Sequence, residues 1–234
     1  MKLLEMYSKV IGDLQKTEYF KDFTFLKSRR IYIQKDNLGS FWVRFRPLLG
    51  IKNHEYSLEL DFGIARRYDI LHKWFEPLSI FPLKQQREYS TVGFAVWRAP
   101  KKKLSYDFLL DGSDYNEVFN DMYEKLVPQC QYQQNRFKTL QDMYDIYISE
   151  ILKGNLNILE HIWGPDCGIF EWMALSIIID PINYPIVKNA ITDYIDKKLT
   201  QKDPSYLQYA DKFHEIFNYL ENYDFSKELK KCGL

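Results

Sequence analysis

Four histidines and three cysteines are the side chains best suited to acid–base, nucleophilic or metal chemistry in this 234-residue chain, so their spacing is the first test of what it can do. His214-Glu215-Ile216-Phe217-Asn218 begins like the zincin helix signature. Asn218 stands where a second imidazole must face the metal, so the chelating face is incomplete. His72 and Glu76, four apart, share a face of a short helix, but two ligands fall short of the three or four that zinc needs. His54 lies in a turn, and His161, after Glu160 and before Trp163-Gly164-Pro165, reads as a helix-end residue favoured by the negative end of the dipole. Cys167, in Pro165-Asp166-Cys167-Gly168, precedes an apolar helix whose N-terminus can lower a thiol pKa, with His161 six residues upstream. The competing reading is a buried, inert thiol, the common state of free cysteine. Cys130 and Cys232 have no base or ligand pattern around them, and three cysteines cannot all pair.

The motif search is otherwise empty. There is no Gly-x-Ser-x-Gly elbow, no Gly-x-x-x-x-Gly-Lys loop and no Gly-x-Gly-x-x-Gly turn. Asp61-Phe62-Gly63 matches a kinase triplet but falls inside a strand pattern with none of its companion motifs. Lys101-Lys102-Lys103 after Pro100 is a basic turn, either solvated or a phosphate contact. No catalytic residue, no metal set and no cofactor is therefore expected; an enzyme would need a site assembled from scattered carboxylates, tyrosines and His72 or His161.

The elements that position these residues divide by composition. A hydrophobic fraction of 46% with 27% charged residues excludes wholesale disorder. The opening Met1-Lys2-Leu3-Leu4-Glu5-Met6 carries charge where a signal peptide needs an apolar run. The most apolar stretch, Ile169 to Ile179, is interrupted by Glu171 and ended by Asp180-Pro181, too short to span a bilayer. A cytoplasmic chain with no membrane segment is the expectation. The zero net charge conceals +8 over residues 1–110 and −8 over 111–234, with eight of the nine arginines in the first stretch. Such asymmetry marks either a nucleic-acid-binding half or two ordinary solvated surfaces.

Leu3, Tyr7, Val10, Ile11 and Leu14 recur at helical spacing and predict a lead helix over 2–16. Residues 23–34, 41–49, 56–65 and 89–97 alternate with period two and are rich in aromatic and β-branched residues, which predicts four antiparallel strands. Asp36-Asn37-Leu38-Gly39-Ser40 and Lys52-Asn53-His54 supply turns. A short helix follows at 68–76. Helices dominate from Asp114: one ended by Pro128, one over 136–153 closed by Gly154, shorter ones near 155–163 and 169–179, one begun by Pro185 and a last begun by Asp203-Pro204. The fold class is α+β, a lead helix and antiparallel sheet of about four strands before a helical C-terminal part. The expected partition is 1–153 for the α+β domain and 154–234 for a helical extension packed on it.

Alternation also assigns the sheet faces. Phe41, Val43, Phe45, Leu58, Leu60, Phe62, Ile64, Ile31 and Ile33 make an apolar face to be covered. The opposite face carries Tyr32, Trp42, Arg44, Arg46, Glu59, Asp61 and Trp97. One reading of that mosaic is cross-strand pairing of Arg44 and Arg46 with Glu59 and Asp61. The other is a binding surface formed by Tyr32, Trp42, Arg44, Arg46 and Trp97, because aromatic faces and guanidinium forks suit protein anchors or stacked bases.

Phe20-Lys21-Asp22-Phe23-Thr24-Phe25 after a lead helix, then strands through Leu58–Ile64 and Val92–Val96, then a helix from Asp114, resembles a bacterial domain-of-unknown-function family, the one numbered four-three-zero-four in words. The resemblance covers about residues 1–150, implies a strand-rich domain behind a lead helix, and carries no catalytic residues. The function expected from all this is a non-enzymatic protein-interaction protein, of the bacterial immunity or adaptor kind, with an unnamed protein partner. Single-stranded nucleic-acid binding through the basic aromatic face is the alternative.

Overall fold

Why the early chain makes a sheet and the later chain helices is visible element by element in the computed structural model, which describes the backbone of residues 1–95, 105–161 and 168–234. Expectations for Trp97, for Lys101 to Lys103, for Cys167 and for the side chain of His161 lie outside the described residues. Helix α1 (Leu3–Gln15) buries Met6, Tyr7, Val10, Ile11 and Leu14, the stripe set by its period. The Glu5 carboxylate accepts the Lys2 amide and so caps the first turn.

Six strands follow, β1 (Thr24–Leu26), β2 (Ile31–Lys35), β3 (Gly39–Lys52), β4 (Glu55–Tyr68), β5 (Val92–Ala95) and β6 (Ser105–Leu109). They form one sheet of order β1-β2-β3-β4-β5, with β6 also paired to β4. The single strand expected over 23–34 is two. A turn at 27–30, with Arg30 in the left-handed region at φ 55°, breaks it. β3 and β4 form a long hairpin closed by Asn53 and His54, whose φ values of 53° and 70° are those of the turn that matches strand twist.

The fold is α+β, as the alternation and the later helical periods require. Its two compact units are discontinuous in sequence and do not follow the contiguous 1–153 and 154–234 partition. The first contains Met1–Lys35, Ser40–Arg66 and Gly93–Arg136; the second contains Asp36–Gly39, Arg67–Val92 and Phe137–Leu234. In the first unit Tyr32, Phe41, Val43, Phe45, Leu58, Leu60, Phe62, Ile64, Tyr106 and Phe108 pack with α1 and with Met122, Leu126 and Cys130 of α4 (Tyr115–Arg136). Helix α4 continues through Pro128, which was expected to end it. Pro128 is exposed, so the Glu124 carbonyl deprived of its amide partner faces water, while Leu126 and Cys130 hold the helix down on both sides.

The second unit is built around α7 (Ile169–Ile179), whose residues from Ile169 to Ser176 are all buried. Against it pack α2 (Asp69–Lys73), α5 (Leu140–Met143), the π-helical turn that follows (Tyr144–Ile148) and α8 (Tyr184–Thr200), while α6 (Ser149–Leu152) continues the run and meets α8. A short α3 (Leu83–Gln86) follows α2. The helix expected from Asp203 is interrupted, as α9 (Pro204–Leu207) and α10 (Phe213–Glu221) are separated by turns, and α11 (Ser226–Cys232) follows. Among the described residues no helix is long and apolar enough to cross a membrane.

Candidate interaction surface

The five residues proposed for a binding face do not stay together. Tyr32 is 0% exposed and sits in the core of the first unit. The register Ile31↔Arg44, Tyr32↔Val43, Ile33↔Trp42 puts Tyr32 on the Val43 side and Ile31 and Ile33 on the Arg44 side, the reverse of the expected facing for this strand. The cause is side-chain chemistry. The Tyr32 ring lies 4.9 Å from Phe20 and from Phe25, and its hydroxyl donates to the Ile11 carbonyl at 2.5 Å, so a tyrosine can be buried with its polar end satisfied. Trp42 is on the expected face but only 3% exposed. Its Nε1 donates to Ser40 Oγ at 2.8 Å, and the Arg29 guanidinium lies 4.5 Å from its ring centroid. Neither ring is free to stack on a ligand. Trp97 is outside the described residues.

Arg44 and Arg46 are exposed, as proposed. Among the described residues neither makes a hydrogen bond or ion pair, and the neighbour across from Arg44 is Gly63, whose missing Cβ would lie 3.8 Å from Arg44 Cβ. On β4, Asp61 is paired in register with Ser105, and Glu59 with Asp107, both of β6.

Beyond the arginines β3 outruns its neighbour. Pairing with β2 ends at Ile31↔Arg44, and Phe45 N–H donates to the Arg30 carbonyl at 3.0 Å, yet β3 continues to Lys52. Here the apolar face continues past the core, leaving Leu49 60%, Ile51 73% and Tyr56 65% exposed. Lys52 anchors this end of the hairpin: Nζ bridges Asp114 at 2.7 Å and donates to the Asp107 carbonyl at 3.1 Å.

Two shallow grooves belong to the same unit. One, of about 320 Å³, is lined by Lys52, Tyr106, Asp107, Glu117, Asp121 and Lys125. Its two lysines are already engaged, Lys52 with Asp114 and Lys125 with Asp121 at 2.6 Å. The other, of about 370 Å³, contains an amide relay in which Tyr19 Oη donates to Gln134 Oε1 at 2.7 Å and Gln134 Nε2 to Gln34 Oε1 at 2.9 Å.

The second unit holds a polar cluster that spacing did not reveal. His72 is buried and faces not Glu76 but Glu171 and Thr91: Nδ1 lies 3.4 Å from Glu171 Oε1, and Nε2 is 2.8 Å from Thr91 Oγ1. Thr91 Oγ1 also accepts the Tyr68 amide at 3.0 Å, so this one hydroxyl ties the imidazole to the backbone just before α2. Burial first, and the Arg67 guanidinium second, hold His72 well below the ordinary imidazole range, so it is neutral. Glu171 Oε2 also accepts the Gly168 amide at 2.5 Å. The only available signal was a lone carboxylate inside an apolar helix, which must find a partner.

Among the described residues no group of three His, Cys, Asp or Glu could hold a metal. Cys130 is fully buried and burial pushes its thiol up, which removes it as a nucleophile. His214 Nε2 pairs with Asn218 Nδ2 at 3.0 Å on an exposed helix face. No family model, no curated protein and no solved structure matches this chain.

Proposed function

We propose that this is a non-enzymatic interaction protein, an adaptor or immunity-type protein of a bacterium, whose protein partner docks on the far half of the β3–β4 hairpin. The observation that carries the reading is the pair of exposed guanidinium groups, Arg44 and Arg46, in no ion pair among the described residues, on a strand backed by the Phe45 and Phe62 rings, 5.1 Å apart. Unpaired arginine beside exposed Leu49, Ile51 and Tyr56 has the composition of an interface anchor. The nucleic-acid alternative is less well supported, because Tyr32 and Trp42 are buried and offer no stacking face. The free thiols of Cys130 and Cys232 fit a reducing cytoplasm. Kinship of residues 1–150 with the domain family named above belongs to the same proposal and adds only the order of elements.

A photo-crosslinking amino acid placed at Leu48 tests the reading in living cells. It should capture one dominant partner, and the Arg44→Glu/Arg46→Glu pair should reduce that product at least tenfold. Equal yield from the charge-reversed protein would remove the arginines from the interface.

A further inference from the structure

Resting on that reading, we infer that the open edge of β3 over residues 47–52 takes up one extended strand from the protein partner, a segment that alternates acidic and apolar side chains. The amide direction follows from one bond. Phe45 N–H donates to Arg30, so the odd-numbered amides of β3 point to the β2 side. With β2 absent beyond Arg44, the N–H and C=O of Leu49 and Ile51 face that side with no strand beside them among the described residues. Pro47, in the same row, lacks an N–H, and an edge is where a strand proline is tolerated. An added strand would meet two donors and three carbonyls over about 20 Å, the length of a six-residue segment.

The side chains specify the occupant. At the inner end of the open edge stand Arg44 and Arg46, on one face of β3, both exposed and neither in an ion pair among the described residues. They call for carboxylates on one face of the incoming strand. Leu49, Ile51 and Tyr56 present an apolar surface on the other face. A second copy paired about Leu49 would place Arg46 opposite Lys52, like charges directly across a ladder, whereas an acidic strand meets Arg46 with opposite charge.

The test uses the intact protein and a fluorescein-labelled decapeptide of alternating Glu and Val, with a Lys/Val decapeptide as control. The Glu/Val peptide should raise anisotropy saturably and the Lys/Val peptide should not. Arg44→Glu/Arg46→Glu should weaken binding at least tenfold. Amide exchange at Leu49 and Ile51 should slow at least tenfold when the peptide is bound. Ile51→Pro, which removes an outward donor without touching the bonds to β4, should also cost tenfold. Should that variant misfold, Leu49→Lys keeps every backbone group and amide protection in the unaltered protein decides. If charge reversal weakens binding while Leu49 and Ile51 stay unprotected, the edge is wrong and the arginine surface stands. Failure of the Glu/Val peptide to bind, or equal binding of the Lys/Val peptide, overturns the strand proposal. So does protection of Leu49 and Ile51 that rises with protein concentration alone, which would make the occupant a second copy.

Discussion

His72 shows how much a single side chain's surroundings can decide. Free imidazole titrates near 6.5, but burial and Arg67 keep His72 neutral well below that in the folded protein. Below 6.5 the unfolded chain therefore binds one proton more than the folded one. The contribution of this site is complete above about pH 6.5 and falls as pH drops, by up to about 1.4 kcal/mol per pH unit. His72→Gln should be less stable at pH 7.5 by about 1–3 kcal/mol, having lost its hydrogen bond to Thr91 or its contact with Glu171. It should also lose less stability than the unaltered protein between pH 6.5 and 5. Urea midpoints at several pH values check this, and parallel slopes would mean that His72 titrates normally. His72 was legible as a histidine on a helix face; Glu171, ninety-nine residues later, was not legible as its partner, because no periodicity links two positions that only packing brings together. Tyr32 failed differently. Alternation puts its ring on the platform face, and the Ile11 carbonyl that lets it be buried belongs to another element.

At the scale of elements, backbone approach matters more than side-chain pattern. Gly39 opens β3, and a Cβ there would lie 2.1 Å from the Arg67 carbonyl oxygen and 3.0 Å from the Asp69 amide. Those atoms belong to a connection in which Asp69 N–H donates to the Leu38 carbonyl at 2.9 Å. Gly39→Ala must push this backbone apart and should cost about 2–3 kcal/mol, as overpacking does. Gly12, on the exposed side of α1 with nothing within 4 Å, is the opposite case: Gly12→Ala should stabilise by about 0.5–1 kcal/mol through helix propensity. Thermal melts of the two variants should move in opposite directions. Most elements were legible, since their apolar periods are set locally: α1, the β3–β4 hairpin with its Asn53-His54 turn, and the start of α8 at Pro185. The exceptions have local causes too. The strand expected over 23–34 splits because the turn at 27–30 carries Arg30 in the left-handed region. α4 passes Pro128 because the orphaned carbonyl is solvated.

For the whole molecule, the second unit takes its core from distant stretches. Trp74 and Phe75 lie just after α2, and the Phe75 ring packs at a tilt 4.5 Å from Phe170 of α7 and 6.1 Å from Tyr209. Trp74 meets Phe170 edge-on at 6.4 Å. A fragment ending at residue 153 keeps the first two rings and removes the last two. Expressed alone, 1–153 should bind a dye specific for exposed apolar surface and show collapsed amide dispersion for 67–92, whereas a fully dispersed spectrum would show that this stretch needs no later helix. Composition placed a boundary where strands give way to helices, but contact does not respect chain order.

The chain's own residues determined the α+β class, the helix stripes, the hairpin turn and the absence of a recognisable catalytic motif, because each depends on neighbours within a few positions. Tertiary packing alone decided that Tyr32 and Trp42 are enclosed while Arg44 and Arg46 stay in water, that His72 meets Glu171, and that β3 runs on past β2. These outcomes depend on which distant surface arrives to cover a side chain, and alternation along one strand holds no record of that.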